Sequence, residues 1–246
     1  IKDKTNKYIE DQLSDNLKIV LYTLHNISCA NHGYKKYIDG RTPSELLANL
    51  KHGEIKESEL KTLKQAEETL NLFFTTLIPS IKKVYYETTT NDSLIHYTLY
   101  FQKQIGSKLR DIHYRLESDG VAALISLFPL LLNTVDGITS VIDEFDNGLH
   151  EILSHAILES LQDSIRGQLI LTTHNISLME SNLRKEYFYI ISEDKNYNKQ
   201  VKCVADYDHQ LNINSNLKNQ YLKGKYQGLP QKSNIDFVKL HDNLYN

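Results

Sequence analysis

The stretch TSVIDEFDNGLH (residues 139–150) closes an apolar run with Asp143 and Glu144, then sets Asp146 and His150 just behind. Ionisable groups beside a buried strand are costly unless something pairs with them. The stretch is therefore either a structural ion-pair cluster or a site that holds a cation and water. A second apolar run, QLILTTH (168–174), ends in Thr172, Thr173 and His174. If both runs are neighbouring parallel strands, their carboxyl ends open on one crevice, where ligands of α/β sheets gather. Asp143 then suits a hydrated Mg²⁺, a cation that gives up its waters reluctantly. Glu144 can orient or deprotonate an attacking water, and His174 can sense a terminal phosphate.

The elements that must position these groups are legible around them. Between the two runs lies an amphipathic helix with Leu149, Ile152, Leu153, Ala156, Ile157, Leu161 and Ile165 on one face. Strand, helix and strand in about thirty residues make a βαβ unit, and its near-continuous apolar strands indicate a sheet buried on both faces. Upstream, ESDG (117–120) precedes an apolar helix over 120–135. Ser118 is a natural N-cap, and Gly120 lets backbone approach closely. The free N–H groups of that helix end suit an anion such as phosphate, which Asp119 would repel unless it turns away. Pro129 inside the helix is expected to kink it.

Farther upstream, IHYTLYFQ (95–102) and LRDIHYRL (109–116) flank a KQIGSK turn and read as a hairpin. Residues 1–86 read as a helical arm. In it, TPSELLANL carries a capping box on Thr42, Pro43 and Glu45, and a second helix follows through Leu60, Leu63, Leu70, Phe73 and Phe74. CANHGYKKYIDGRT and KHGE read as the loops between helices. After the βαβ unit, YFYIISED and QVKCVADY read as strands, and a polar tail contains the loop GKYQGLP (224–230). The predicted architecture is α/β with a parallel central sheet and flanking helices, in two parts, 1–86 and 87–246.

Bulk properties exclude several classes. The net charge of −3 over 246 residues leaves no electrostatic footprint of a nucleic-acid binder, although a local patch stays open. Cys29 and Cys203 lie far apart and outside any CxxC pattern, which points to a reducing cytoplasm rather than a disulfide or zinc framework. The most apolar run, VAALISLFPLLLNTV, is shorter than the roughly 20 residues of a membrane span. HEILSH (150–155) resembles a zinc helix, but its histidines fall about 140° apart around a helix axis. DYD (206–208) suggests a metal-dependent nuclease. The 16 tyrosines lack a basic interleaf and do not read as a stacking platform.

Taken in order, ESDG, ITSVIDEFDNGLH and QLILTTHN resemble the C-terminal lobe of ABC-type ATPases. More narrowly, they are similar to the AAA-labelled bacterial ATPases of abortive-infection and other phage-defence systems. The resemblance covers roughly residues 95–230. It implies a P-loop NTPase-like head in which Ser118, Asp119 and Gly120 stand at the signature motif and Asp143 and Glu144 at Walker B. Asp146 to His150 would be the D-loop region and His174 the switch histidine, with Thr173 beside it as a nucleotide contact. The implied cofactors are ATP and Mg²⁺, and the implied partners a second copy across the nucleotide and an effector chain. The helical first third would be the inserted arm, and GKYQGLP is similar to the Gly-x-Tyr-Gly-x-x-Pro-like tail of that group. A G-x-x-x-x-G-K-[ST] phosphate loop does not occur in the sequence. With the missing initiator Met, this predicts a fragment that binds ATP poorly alone, and leaves an inactive docking module as the rival reading.

Overall fold

The computed structural model describes residues 13–25, 27–31, 36–38, 49–91, 94–207, 216–230 and 234–245. The capping box on Thr42, Pro43 and Glu45 and Asp208 of the DYD run lie outside them. In chain order the elements are α1 (Asp15–His25), β1 (Ile27–Asn31), β2 (Lys36–Ile38), β3 (His52–Lys56), α2 (Leu60–Leu77), β4 (Ile81–Asn91), β5 (Leu94–Ile105) and β6 (Lys108–His113). They continue with α3 (Asp119–Val135), β7 (Thr139–Asp143), α4 (Glu151–Leu161), β8 (Gln168–Leu171), β9 (Tyr189–Glu193), β10 (Lys199–Cys203), α5 (Leu217–Leu222) and α6 (Phe237–Tyr245). The chain divides into two compact units, Ile1–Asn175 and Ile176–Asn246.

The first unit carries the expected α/β architecture. Its first sheet has the order β2-β1-β7-β8, with β1, β7 and β8 mutually parallel and β2 antiparallel at one edge. The βαβ unit read from the sequence is present as β7-α4-β8, with Ile142 opposite Leu171. α3 also supports this sheet. Asn133 Nδ2 donates to the buried Ser28 Oγ of β1 at 3.3 Å, and Ser140 Oγ of β7 donates to the Leu130 carbonyl at 3.0 Å. Pro129 falls inside α3, which stays helical to Val135.

Among the described residues of 1–86, helices α1 and α2 alternate with strands, where the sequence reads as a helical arm. That stretch supplies β1 and β2 to the parallel sheet and β3 and β4 to a second, antiparallel one. Cys29–Asn31, read as loop, is the end of β1, and a boundary at 86 would cut through β4. The physical reason lies in β1 itself. ISCAN has no apolar run, and its strand state comes from the parallel ladder it forms with β7 rather than from local propensity.

In the second sheet β4 pairs with one edge of β5, while β3 and β6 share the other edge. The expected hairpin is β5–β6, closed by a two-residue turn with Gly106 at φ +58°. Burial along β5 alternates, and α2 covers the inward face, with Phe74 edge-on to Phe101 at 5.1 Å. α2 also satisfies backbone donors on the exposed edge of β4. Asn71 Oδ1 accepts from Val84 N at 2.8 Å and Glu67 Oε2 from Tyr86 N at 2.6 Å. On the outward face, Tyr85, Tyr100, His113, Tyr114 and His52 make consecutive ring contacts of 5.8, 5.2, 4.6 and 5.7 Å. Three tyrosines that look scattered in sequence thus join two histidines in one row that spans β4, β5, β6 and β3. Beside this row, burial and then the Asp111 carboxylate raise Tyr85, and burial and then Glu87 raise Tyr100, above the ordinary phenol range.

The second unit is a β9–β10 antiparallel hairpin with a small core of Ile190, Val204, Leu217 and Tyr226. Tyr226, from the GKYQGLP loop, is fully buried and its hydroxyl donates to Gln220 Oε1. Cys203 is a free, buried cysteine.

Candidate functional site

The parallel pairing of β7 with β8 brings Asp143 and Thr172 to the same end of the sheet, one step past the Ile142–Leu171 pair. There, Thr172 is the organising residue. Its N–H donates to the Ile142 carbonyl at 3.0 Å, and its own carbonyl accepts from Phe145 N at 3.0 Å. Its hydroxyl donates to Asp143 Oδ1 and accepts from Glu144 N at 2.9 Å. Every hydrogen-bonding group of Thr172 is thus spent on the four residues 142–145.

Glu144 sits at φ +51°, in the left-handed region that side chains with a Cβ avoid. Such a conformation costs about 1–3 kcal/mol and persists where neighbours over-determine it. Here Glu144 N is held by Thr172, the Glu144 carbonyl accepts from Asn147 N at 3.0 Å, and Glu144 Oε2 accepts from Asn147 Nδ2 at 3.3 Å. Phe145, fully buried, anchors the loop from below. Asp143, Glu144 and Asp146 stay half-buried, and His174 is exposed beyond the end of β8.

Thr173, expected as a nucleotide contact, is engaged within the chain. Its hydroxyl donates to Asp146 Oδ1 at 2.7 Å and accepts from Asn175 N at 2.8 Å. His150 caps α4, its Nδ1 accepting from Ile152 N at 3.3 Å, so the HEILSH pattern is a helix cap.

Ser118, Asp119 and Gly120 form the start of α3. Ser118 Oγ accepts from Val121 N at 3.4 Å, as an N-cap should. This turn meets the loop after β7, for a Cβ built on Gly120 would lie 2.8 Å from the Gly148 carbonyl oxygen. Gly120 therefore has a packing reason within the chain. Gly148 is itself at φ +79°, and a Cβ there would touch Asp119 at 3.9 Å. Just before the turn, Glu117 is ion-paired with Lys103 of β5, and its other oxygen, Oε1, is buried without a partner. The expected residues are thus split between two adjoining pieces, the α3 turn and the β7–β8 end. Neither Thr172, as the residue between Asp143 and Glu144, nor Glu117 carried a functional reading in the sequence; the hydroxyl two residues before His174 was the available signal.

The donor set fits a hard cation. Asp143 Oδ1 is taken by Thr172, and among the described residues Oδ2 accepts nothing. No group of three or more acidic, histidine or cysteine side chains gathers as a metal cage among the described residues. Mg²⁺ does not require such a cage, since it takes one or two carboxylates and completes its shell with water and phosphate oxygens. Asp206 of the DYD run belongs to the second unit.

No helix of the described residues is long and apolar enough to cross a membrane. No curated protein matches the chain. Among solved structures, one from work on ATP-driven dimerization and DNA-stimulated activation of SMC ATPases has a TM-score of 0.48 at 16% identity, covering 73% of this chain and 100% of that one. The SMC head domain from Thermotoga maritima has a TM-score of 0.37 at 20% identity, covering 60% of this chain and 50% of that one. An SMC head bound to the C-winged helix domain of ScpA has a TM-score of 0.41 at 13% identity, covering 60% and 45%. This chain therefore spans half or less of the last two. The sequence of residues 56–180, just over half of the chain, matches the family described as "AAA domain, putative AbiEii toxin, Type IV TA system", and the chain belongs to that family.

Proposed function

We propose that the β7–β8 end is the hydrolytic half of an ABC-type ATPase head. Asp143 would hold a hydrated Mg²⁺, whose charge neutralises the phosphates of ATP. Glu144 orients and deprotonates the attacking water, and His174 donates to the terminal phosphate as charge develops on it. Ser118, Asp119 and Gly120 present the N-terminal end of α3 to the nucleotide of a second copy, so that ATP joins two heads. Opening and closing of that dimer would gate an effector chain, in a cytoplasmic defence system of the kind whose ATPases the sequence resembles. The reading requires a phosphate-cradling loop from outside these 246 residues, since the sequence holds none.

The observation that carries it is the strand-end geometry. β7 and β8 are parallel neighbours, and a single threonine ties the acidic pair to the segment that delivers His174. In the protein with its phosphate loop in place, Glu144→Gln should cut Mg-ATP turnover at least about a hundredfold while nucleotide stays bound. Turnover equal to the wild type would sink the reading. The absence of the phosphate loop favours one alternative, a docking module that no longer hydrolyses ATP. Mg-ATP turnover that depends on Glu144, in the protein with its phosphate loop in place, excludes it.

A further inference from the structure

We infer that Thr172 is the positioning residue of this site, setting both members of the acidic pair at once. The inference deepens the ATPase reading and rests on it for the roles of Asp143 and Glu144, whereas the geometry can be tested without nucleotide.

Asp143 and Glu144 are consecutive, yet they must do different things. One carboxylate has to face a cation and the next has to face a water. In a regular strand, successive side chains point to opposite faces of the sheet, and the pair would be split between them. The chain avoids this by leaving the strand at Glu144, which takes φ +51°. That turn removes the Glu144 amide from the sheet ladder, and an unpaired backbone N–H at a half-buried position needs an acceptor. The Thr172 hydroxyl is that acceptor, at 2.9 Å. A hydroxyl that accepts one bond still has its own proton to give, and this one gives it to Asp143 Oδ1. One side chain therefore does two jobs. It stabilises the left-handed residue, and it fixes which oxygen of Asp143 is occupied, leaving Oδ2 for a ligand.

Valine has the same shape as threonine but can neither accept nor donate. Serine can do both. This asymmetry separates a positioning role from mere packing. In the purified chain without nucleotide, amide hydrogen exchange at Glu144 should be about fivefold or more faster in Thr172→Val than in wild type, the effect of losing one hydrogen bond. Thr172→Ser should restore slow exchange. The Phe145 amide, held by the Thr172 backbone carbonyl, should stay unchanged in both variants. Equal exchange at Glu144 in all three proteins overturns the inference, as does acceleration at Glu144 and Phe145 together, which means that the loop has only loosened.

In Mg-ATP turnover with the phosphate loop in place, Thr172→Val should lose about ten- to a hundredfold in kcat, the usual cost of removing an outer-shell partner. KM should stay within about twofold, because only the orientation of reacting groups changes. Thr172→Ser should recover most of the loss. If Glu144→Gln abolishes turnover but Thr172→Val matches wild type, the positioning role falls and the ATPase reading survives. If the wild type does not turn over Mg-ATP at all, the ATPase reading falls, and the exchange rates alone decide for or against Thr172.

Discussion

The two acidic stretches of the candidate site are held by opposite means. At the α3 turn, Glu117 goes inward, while Ser118 and Asp119 stay exposed. Glu117 is 1% exposed and paired with Lys103, and Gly120 gives up its side chain so that the Gly148 carbonyl can close against it. After β7, the polar groups remain half-exposed, and hydroxyl and amide bonds to neighbours hold them. A buried ion pair resists change, because losing a partner strands a charge in low dielectric. Half-exposed hydrogen bonds can be traded for water or a ligand at a cost of about 1 kcal/mol each. The Glu117–Lys103 pair is thus the more fixed of the two arrangements, and the bonds of the β7 loop are the more readily exchanged.

The largest expected effect tests that pair. Lys103→Ala leaves the Glu117 carboxylate buried with both oxygens unpaired, since Oε1 already lacks a partner. We expect a loss of about 3 kcal/mol in a denaturant titration, the low end for a broken buried pair because Lys103 is 20% exposed. Replacing both residues by methionine should recover most of it, since no charge is then stranded. A single variant as stable as wild type would mean that the pair is solvated, and the contrast between the two stretches would collapse.

Gly120→Ala follows. In a helix, exchange of glycine for alanine normally stabilises by about 1 kcal/mol. Here the new methyl would sit 2.8 Å from a backbone carbonyl, and overpacking of this kind costs about 1–3 kcal/mol. The clash should win, giving a lower melting temperature and a displaced 146–148 loop, visible as amide shift changes at Asn147 and Gly148. A higher melting temperature would show that the α3 turn and the loop do not touch.

How much of this was legible in the sequence depends on the distance over which each feature is encoded. β7, α4 and β8 are written locally, as apolar runs with helical periodicity between them, and so their acidic and histidine ends could be read off. β1 could not, because ISCAN becomes a strand only through its ladder with β7, more than a hundred residues away. Likewise the tyrosine row needs the registers of β5 with β4 and with β6, which no single strand states. Lys103 and Glu117 are close in sequence, but only the β5–β6 hairpin folds one back onto the other. Thr172 was visible as a residue and invisible as a device, since nothing in the sequence tells that Glu144 leaves the strand. Gly120 was read for its openness to a ligand, whereas the structure gives it a contact within the chain.

The smallest expected effect comes from a carboxylate outside the site, which sharpens the comparison. Asp194, at the β9–β10 turn, has both oxygens engaged. Oδ1 accepts from Asn196 N at 2.7 Å and Asn198 N at 2.9 Å, and Oδ2 from Asn198 Nδ2 at 3.0 Å. The Asn198 side chain and then its amide hold this carboxyl below its ordinary range against the opposing effect of burial, with the Asn196 amide adding to them. A folded pKa below the unfolded one stabilises the turn above the unfolded value, about 3.9, and that contribution is lost as pH falls through the lowered folded value. Amide protection across Tyr189–Cys203 should therefore be flat from neutral pH down to the ordinary carboxylate range and fall only at more acidic pH. In Asp194→Asn that acid limb should vanish, because the amide oxygen still accepts but carries no titrating charge. An acid limb that persists in the variant would assign it to another group. Asp194 spends both oxygens on its own turn and is a pin, whereas Asp143 spends one, so the same hydrogen-bond chemistry leaves only Asp143 with an oxygen for a ligand.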